Sequence, residues 1–281
     1  MSLDLKKIKK IASQVQRSLF KNTQAMTTGF FKTHFRGSGL QFREHQIYEP
    51  GDDVRFIDWK LSAKMRRTYV KTFEEERNIE IDVVIDLTPS MLMGYGKISK
   101  LQAAVEIAAM LGLIAERTKD RVRGIILAAK VEETQKGAGQ KFIVSIVKKF
   151  DTMGLFNETG DIDRNIHLQS SDDAQRATVI RRLLSGKRQV LYLSDWSETN
   201  MSSIKPFMAR KNFHPVRLVI PLDEASSLPY SLFVGVKNKS QFLYKQKMNR
   251  EEQDQVFDKK IVRIDLSKNY LFDFIHQMRK R

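Results

Sequence analysis

From residue 80 onward the chain alternates short β-branched runs with helical segments, and that rhythm admits few architectures. IDVVID (81–86) reads as a buried strand. Ser99, with Gln102 three residues on, is a capping-box signature. It opens LQAAVEIAAMLGLIAER, which is apolar almost all round and therefore deeply packed. VRGIILAA follows as a strand, and residues 141–150 and 174–184 suit helices. QVLYLSD is a strand, SSIKPFMARK a helix and VRLVIPL another strand. Two short runs around KNKS in LFVGVKNKSQFLYKQ read as a hairpin. NYLFDFIHQMRKR closes the chain as a helix whose basic end suits the helix dipole. Such alternation predicts an α/β fold with a mainly parallel, doubly wound sheet covered on both faces.

The remainder divides at residues 29 and 77. Residues 1–29 hold a basic amphipathic helix with Leu5, Ile8, Ile11, Ala12, Val15 and Leu19 on one face, suited to docking on the body, with a membrane-surface helix as the alternative. Residues 30–77 form a small β-rich appendage: FRGSGLQF carries turn glycines, EPGDD is a turn, and TYVKTF alternates as a strand. Residues 78–281 form the α/β domain. The absence of cysteine excludes disulfides, thiolate metal sites and a cysteine nucleophile. The first residues are basic, but no continuous apolar run follows them, so they do not read as a signal peptide. No segment approaches the roughly 18 apolar residues of a membrane span. A soluble, cytoplasmic chain is expected. The formal charge of +16 is spread along the chain and interrupted by clusters such as Glu74-Glu75-Glu76, with no stripe of basic residues interleaved with aromatics. It reads first as a solvated basic surface and next as a surface for an acidic partner, with a nucleic-acid or polyanion binder as the alternative function.

Chemistry concentrates at two strand ends. IDVVID ends in Asp86, with Thr88 and Ser90 following at alternate positions, and VLYLSD ends in Asp195. In an open α/β sheet, ligands bind beyond the carboxyl ends of the strands where strand order reverses. Carboxylate and hydroxyl oxygens converging there are hard ligands suited to Mg²⁺ or Mn²⁺. An intervening loop, Asn157 to Asp161, offers Thr159, with Thr152 nearby as an alternative. Other chemistries fail on specifics. A haloacid-type phosphatase needs an acid where Thr88 stands. MGYGKIS lacks the first P-loop glycine, and Ile98 follows Lys97 where a hydroxyl is required. The histidines at 34, 45, 167, 214 and 276 have no ligand spacing. A metal-dependent hydrolase would have only Glu158 as a nearby base.

Asp86, Thr88 and Ser90 after an apolar strand, then a buried helix, then a strand ending Ser194-Asp195, resemble the von Willebrand factor A fold with its metal-ion-dependent adhesion site. The blocks YEPGDDVRFIDWKLSAK and YVKTFEEERNIEIDVVID resemble a more specific group. This is the family catalogued as domain of unknown function fifty-eight, von Willebrand A-like proteins associated with MoxR-type AAA+ ATPases. KISKLQAAVEIAAML, VLYLSDW and FVGVKNKSQFLY extend the resemblance. It implies no enzymatic activity and a role as adaptor or chaperone partner of that ATPase or its client. It also implies Asp86, Thr88, Ser90, Asp195 and the middle-loop threonine as metal ligands, Asp195 through water. Thr88 replaces the commoner serine and keeps the hydroxyl. In GDDVRFIDWKLSAK, Phe56, Ile57 and Trp59 are expected to anchor the appendage to the sheet, with a partner-binding role as the alternative. Trp196 either rims the metal site or packs.

Overall fold

A computed structural model describes Ile8 and residues 10–15, 39–76, 79–96, 98–157, 159–220 and 260–279. The central sheet has six strands in the order β10-β9-β8-β3-β6-β7. These are β3 (Glu80–Asp86), β6 (Arg121–Leu127), β7 (Val131–Glu133), β8 (Gln189–Ser194), β9 (Phe213–Val219) and β10 (Val262–Asp265). All neighbours run parallel except β6 and β7. The expected mainly parallel sheet with helices is therefore present. From β3 the chain moves outward to β6 and β7, then returns to lay β8 on the other side of β3. Strand order reverses between β3 and β8, the position at which open α/β sheets place their ligands, and Asp86 and Ser194 end the two strands there.

Side chains alternate across the sheet, and each face receives its own helices. Val83, Ile85, Leu191 and Leu193 join one apolar cluster with α2 (Lys100–Thr118), α3 (Gly139–Thr152) and α6 (Tyr270–Arg279). Val84, Val190 and Tyr192 face the other cluster, with α4 (Asp173–Leu184) and α5 (Met201–Met208). Ser99 caps α2 by accepting the Gln102 N–H at 3.0 Å, while the Gln102 side-chain amide donates to Glu106 and not back to the cap. Glu106, buried within α2, is satisfied by Gln102 Nε2 at 2.8 Å and by the Tyr270 hydroxyl, which ties α6 to the centre. Residues 10–15 are helical, and Ile8, Ile11, Ala12 and Val15 are buried in the first cluster, so the expected docking of this stretch holds. The hairpin expected around KNKS lies outside the described residues. β10 was not anticipated: VRID is too short and too charged to announce itself, and only pairing with β9 makes it a strand.

The appendage contains an antiparallel pair, β1 (Gly39–Ile47) and β2 (Tyr69–Glu76), with a bulge between Phe42 and Glu44. It is not purely β. A 3₁₀ turn (Val54–Phe56) and the helix α1 (Trp59–Met65) lie between the strands. Asp58 starts α1 by accepting the Leu61 N–H at 3.0 Å, and it also lies 3.0 Å from His45 Nε2 and 3.3 Å from Lys71 Nζ. The Leu61 N–H above all, then His45, hold its carboxyl down from 3.8 to about 2, with Lys71 adding to them. A carboxylate depressed in the folded state contributes stability that is complete above its ordinary value and is lost as pH falls through the folded value. The protection factor of the Leu61 amide is therefore expected to stay flat above about pH 4 and to drop toward pH 2. A flat profile across that window would remove Asp58 as the anchor of α1.

The P-loop-like stretch is a small hairpin, β4 (Gly94–Tyr95) with β5 (Ile98–Ser99). A Cβ on Gly94 would lie 1.9 Å from the Ile98 carbonyl oxygen, so this glycine serves strand contact.

Candidate functional site at the strand ends

Four of the five expected ligands do gather beyond the ends of β3 and β8, in two groups. In the first, Asp86 is fully buried, and both carboxylate oxygens are engaged. Arg176 Nε, from α4, donates to Oδ1 at 3.2 Å. The Tyr192 and Ser194 hydroxyls donate to Oδ2 at 3.0 and 3.2 Å. Burial pushes the Asp86 carboxyl up from its ordinary value, against the opposing pull of Arg176 and the Tyr192 hydroxyl. Burial, then Asp86, also raises Tyr192 well above the usual phenol range, which keeps its hydroxyl a donor.

The second group centres on Asp195. Lys100 Nζ, from the first turn of α2, lies 3.1 Å from Oδ2, and both side chains are fully buried. Oδ1 accepts from the Ser197 N–H at 3.2 Å, the Ser197 hydroxyl at 2.9 Å and, more weakly, the Thr88 hydroxyl at 3.5 Å. Ser90 joins Thr88 at 2.9 Å and also meets Ser197 Oγ. Burial works against the Asp195 charge. The Lys100 ammonium, the Ser90 hydroxyl and the Ser197 N–H outweigh it and leave the carboxyl below its usual value.

Thr159 stands apart. Its hydroxyl bonds to Asn157 Oδ1 at 2.7 Å and Asp161 Oδ2 at 2.9 Å, within its own exposed turn. The adjoining Gly160 lies against Ile11 and Gln14 of the N-terminal helical stretch. Thr152 bonds back to the carbonyls of Lys148 and Lys149 in α3. Neither threonine makes a hydrogen bond to the Asp86 or Asp195 group. From this middle loop, Arg164 reaches the hairpin turn after β3, at the Gly96 carbonyl, 3.3 Å away.

Trp196 packs. It is buried, its ring centroid lies 5.0 Å from that of Tyr192, and its indole N–H donates to the Val216 carbonyl at 3.1 Å. Its left-handed backbone (φ 63°) turns the chain sharply after β8. Trp59, expected to anchor the appendage, is 70% exposed, while Phe56 and Ile57 are half-buried.

The sequence reading missed Lys100, Arg176 and Tyr192, and also a symmetry. Asp195-Trp196-Ser197-Glu198-Thr199 repeats the alternation of Asp86-Leu87-Thr88-Pro89-Ser90. Two strand ends carry the same carboxylate-hydroxyl-hydroxyl pattern, and the Ser90 hydroxyl of one meets the Ser197 hydroxyl of the other.

This donor set does not fit a resident Mg²⁺ or Mn²⁺. Asp86 and Asp195 each already face a buried cation of the protein, so a divalent ion would bring two further positive charges against Arg176 and Lys100. The polar atom left over there is also of the wrong kind. Arg176 Nη2 is buried without a hydrogen-bond partner, and it is a donor, whereas a cation needs spare acceptors. Among the described residues no three His, Asp or Glu side chains are grouped to hold a metal.

Fold and site define the class: an α/β protein with a mostly parallel central sheet and a polar cluster at its strand-order reversal. The chain belongs to the family described as "Protein of unknown function DUF58", whose model matches residues 43–237. It is similar to the uncharacterized proteins Mb1516 of Mycobacterium bovis and Rv1480 of Mycobacterium tuberculosis, with 30% identity over 90 residues. Those matches take in 32% of this chain and only 28% of each relative's length. Among solved structures it is similar to the conserved hypothetical protein BatB of Bacteroides thetaiotaomicron (15% identity, TM-score 0.42, 72% of this chain and 98% of that one). It is also similar to an aerotolerance-related membrane protein of Bacteroides fragilis (13% identity, TM-score 0.39, 72% and 100%). No helix among the described residues is long and apolar enough to cross a membrane.

Proposed function

We propose that this chain is a non-catalytic protein-interaction module, an adaptor for a MoxR-type AAA+ ATPase or that ATPase's client, working in the cytoplasm. The observation that carries the reading is the surface of the appendage. Ile47, Val54, Trp59 and Met65 are exposed there, leaving only Tyr95 and Phe272 as large exposed apolar residues elsewhere among the described residues. Exposed tryptophan beside aliphatic and methionine side chains is the composition of a binding hot spot. Lys60, Lys64, Arg66 and Arg67 are exposed on and just after α1 and make no ion pair among the described residues. Asp53 and Asp58, by contrast, are held by Arg55, His45 and Lys71. The surface therefore offers unpaired positive charge around apolar anchors, which suits an acidic protein partner.

The strand-end groups fit the non-catalytic half of the reading: Asp86 and Asp195 are buried and paired with Arg176 and Lys100. Docking in this reading needs no metal, in contrast to the expectation from the sequence, because Arg176 and Lys100 already face the two carboxylates.

The test is binding of the cognate ATPase to wild type and to Trp59→Ala, by biolayer interferometry in EDTA and in Mg²⁺. Trp59→Ala is expected to weaken capture by about tenfold or more, or at least ~1.4 kcal/mol. It should change unfolding stability by no more than about 0.5 kcal/mol, because the side chain is exposed. Unchanged capture would remove the appendage as the docking surface. Retention of DNA that falls steeply with salt, in place of ATPase capture, would favour the polyanion reading.

A further inference from the structure

We infer that Lys100 is the resident cation of the strand-end site: its ammonium holds the place that the carboxylate-hydroxyl pattern offers a divalent ion, and the two exclude each other. Lys100 occupies the first position of α2, where the positive end of the helix dipole disfavours a cation. It is also fully buried, which disfavours any charge. Two unfavourable placements coincide at one side chain, and its position at 3.1 Å from Asp195 Oδ2 offsets both.

The backbone fixes the position. Lys100 N–H donates to the Met93 carbonyl at 2.8 Å, and Ser99 caps the helix start, so the side chain enters the cluster from a rigid origin. Around the ammonium's carboxylate lie three hydroxyls, Thr88, Ser90 and Ser197, linked to one another. Asp195 with these hydroxyls is an all-oxygen set that suits a hard cation, and here an ammonium serves it. With Arg176 on Asp86, each strand-end carboxylate has its own buried cation. The inference goes beyond the adaptor reading and holds whichever partner docks.

The experiment is equilibrium dialysis of the full chain against Mn²⁺, with the free ion read by electron paramagnetic resonance, alongside thermal melting with Mn²⁺ and with EDTA. Wild type is expected to retain no stoichiometric Mn²⁺ and to melt at the same midpoint in both solutions. Lys100→Ala vacates the ammonium's place and leaves Asp195 uncompensated. It is expected to melt lower, to bind Mn²⁺ stoichiometrically and to regain part of the lost midpoint when the ion is added. Should the alanine variant not fold, Lys100→Gln keeps a hydrogen-bond donor without the charge and carries the same expectation. Stoichiometric Mn²⁺ on wild type, or a wild-type midpoint that falls in EDTA, overturns the inference. So does a folded, destabilised variant that is indifferent to Mn²⁺, because Lys100 would then be an ion-pair partner and not the occupant of a cation site.

Discussion

Replacing Arg176 with methionine is expected to lower unfolding stability by about 3–5 kcal/mol at neutral pH, as measured by urea denaturation. The guanidinium is almost completely buried and holds Asp86 Oδ1 at 3.2 Å, Asp173 Oδ1 at 3.3 Å and the Glu198 carbonyl at 3.2 Å. Methionine fills similar space and breaks no helix, so the loss reports the charge. Asp86 would keep its Tyr192 and Ser194 hydroxyl donors, but no opposite charge would remain to counter the burial that already raises its pKa. The carboxyl must then stay charged without compensation or take up a proton. A carboxyl whose folded-state pKa lies above its unfolded value loses stability as pH rises through the folded value. The deficit of Arg176→Met is therefore expected to shrink at mildly acidic pH and grow toward neutral. A deficit independent of pH would mean that the arginine acts through packing alone.

Asp195→Asn carries the second large effect, again about 3–5 kcal/mol, because it leaves the Lys100 ammonium buried without its carboxylate. Asparagine keeps the shape and can still accept from the Ser197 N–H, so hydroxyl geometry survives better than charge balance. If the two strand-end aspartates were plain metal ligands at the surface of the fold, replacing them would spare the structure. Here they are the negative halves of buried pairs, so global unfolding should register them strongly. Any loss of partner binding in such variants has to be read against that loss of stability.

Much of the fold was legible. Alternating β-branched runs and apolar-faced helices gave a parallel α/β sheet because the period of each segment matches its final state, as in IDVVID and LQAAVEIAAMLGLIAER. α1 was hidden because WKLSAKM leaves all its residues at least partly exposed and so has no buried stripe to reveal a helical period. The site was half legible. The strand-end position of Asp86 and Asp195, and their nearness to Thr88 and Ser90, followed from local pattern. Their partners did not. Arg176 and Lys100 lie 90 and 95 residues away from the carboxylates they neutralise, and each looks in the sequence like an ordinary helical surface residue. Thr159 misled because an exposed threonine in a polar turn can satisfy itself locally, as it does with Asn157 and Asp161. Trp59 misled in the other direction: a tryptophan among charges was expected to pack, and it faces solvent.

The most direct measurement is a double-mutant cycle on Lys100→Met and Asp195→Asn, followed by urea unfolding with EDTA present. If the ammonium and the carboxylate compensate each other inside the protein, removing both together should lose much less than the sum of the single losses, with a coupling of about 2 kcal/mol or more. Additive losses would contradict the account, because the charges at the strand ends would then be balanced by something other than each other.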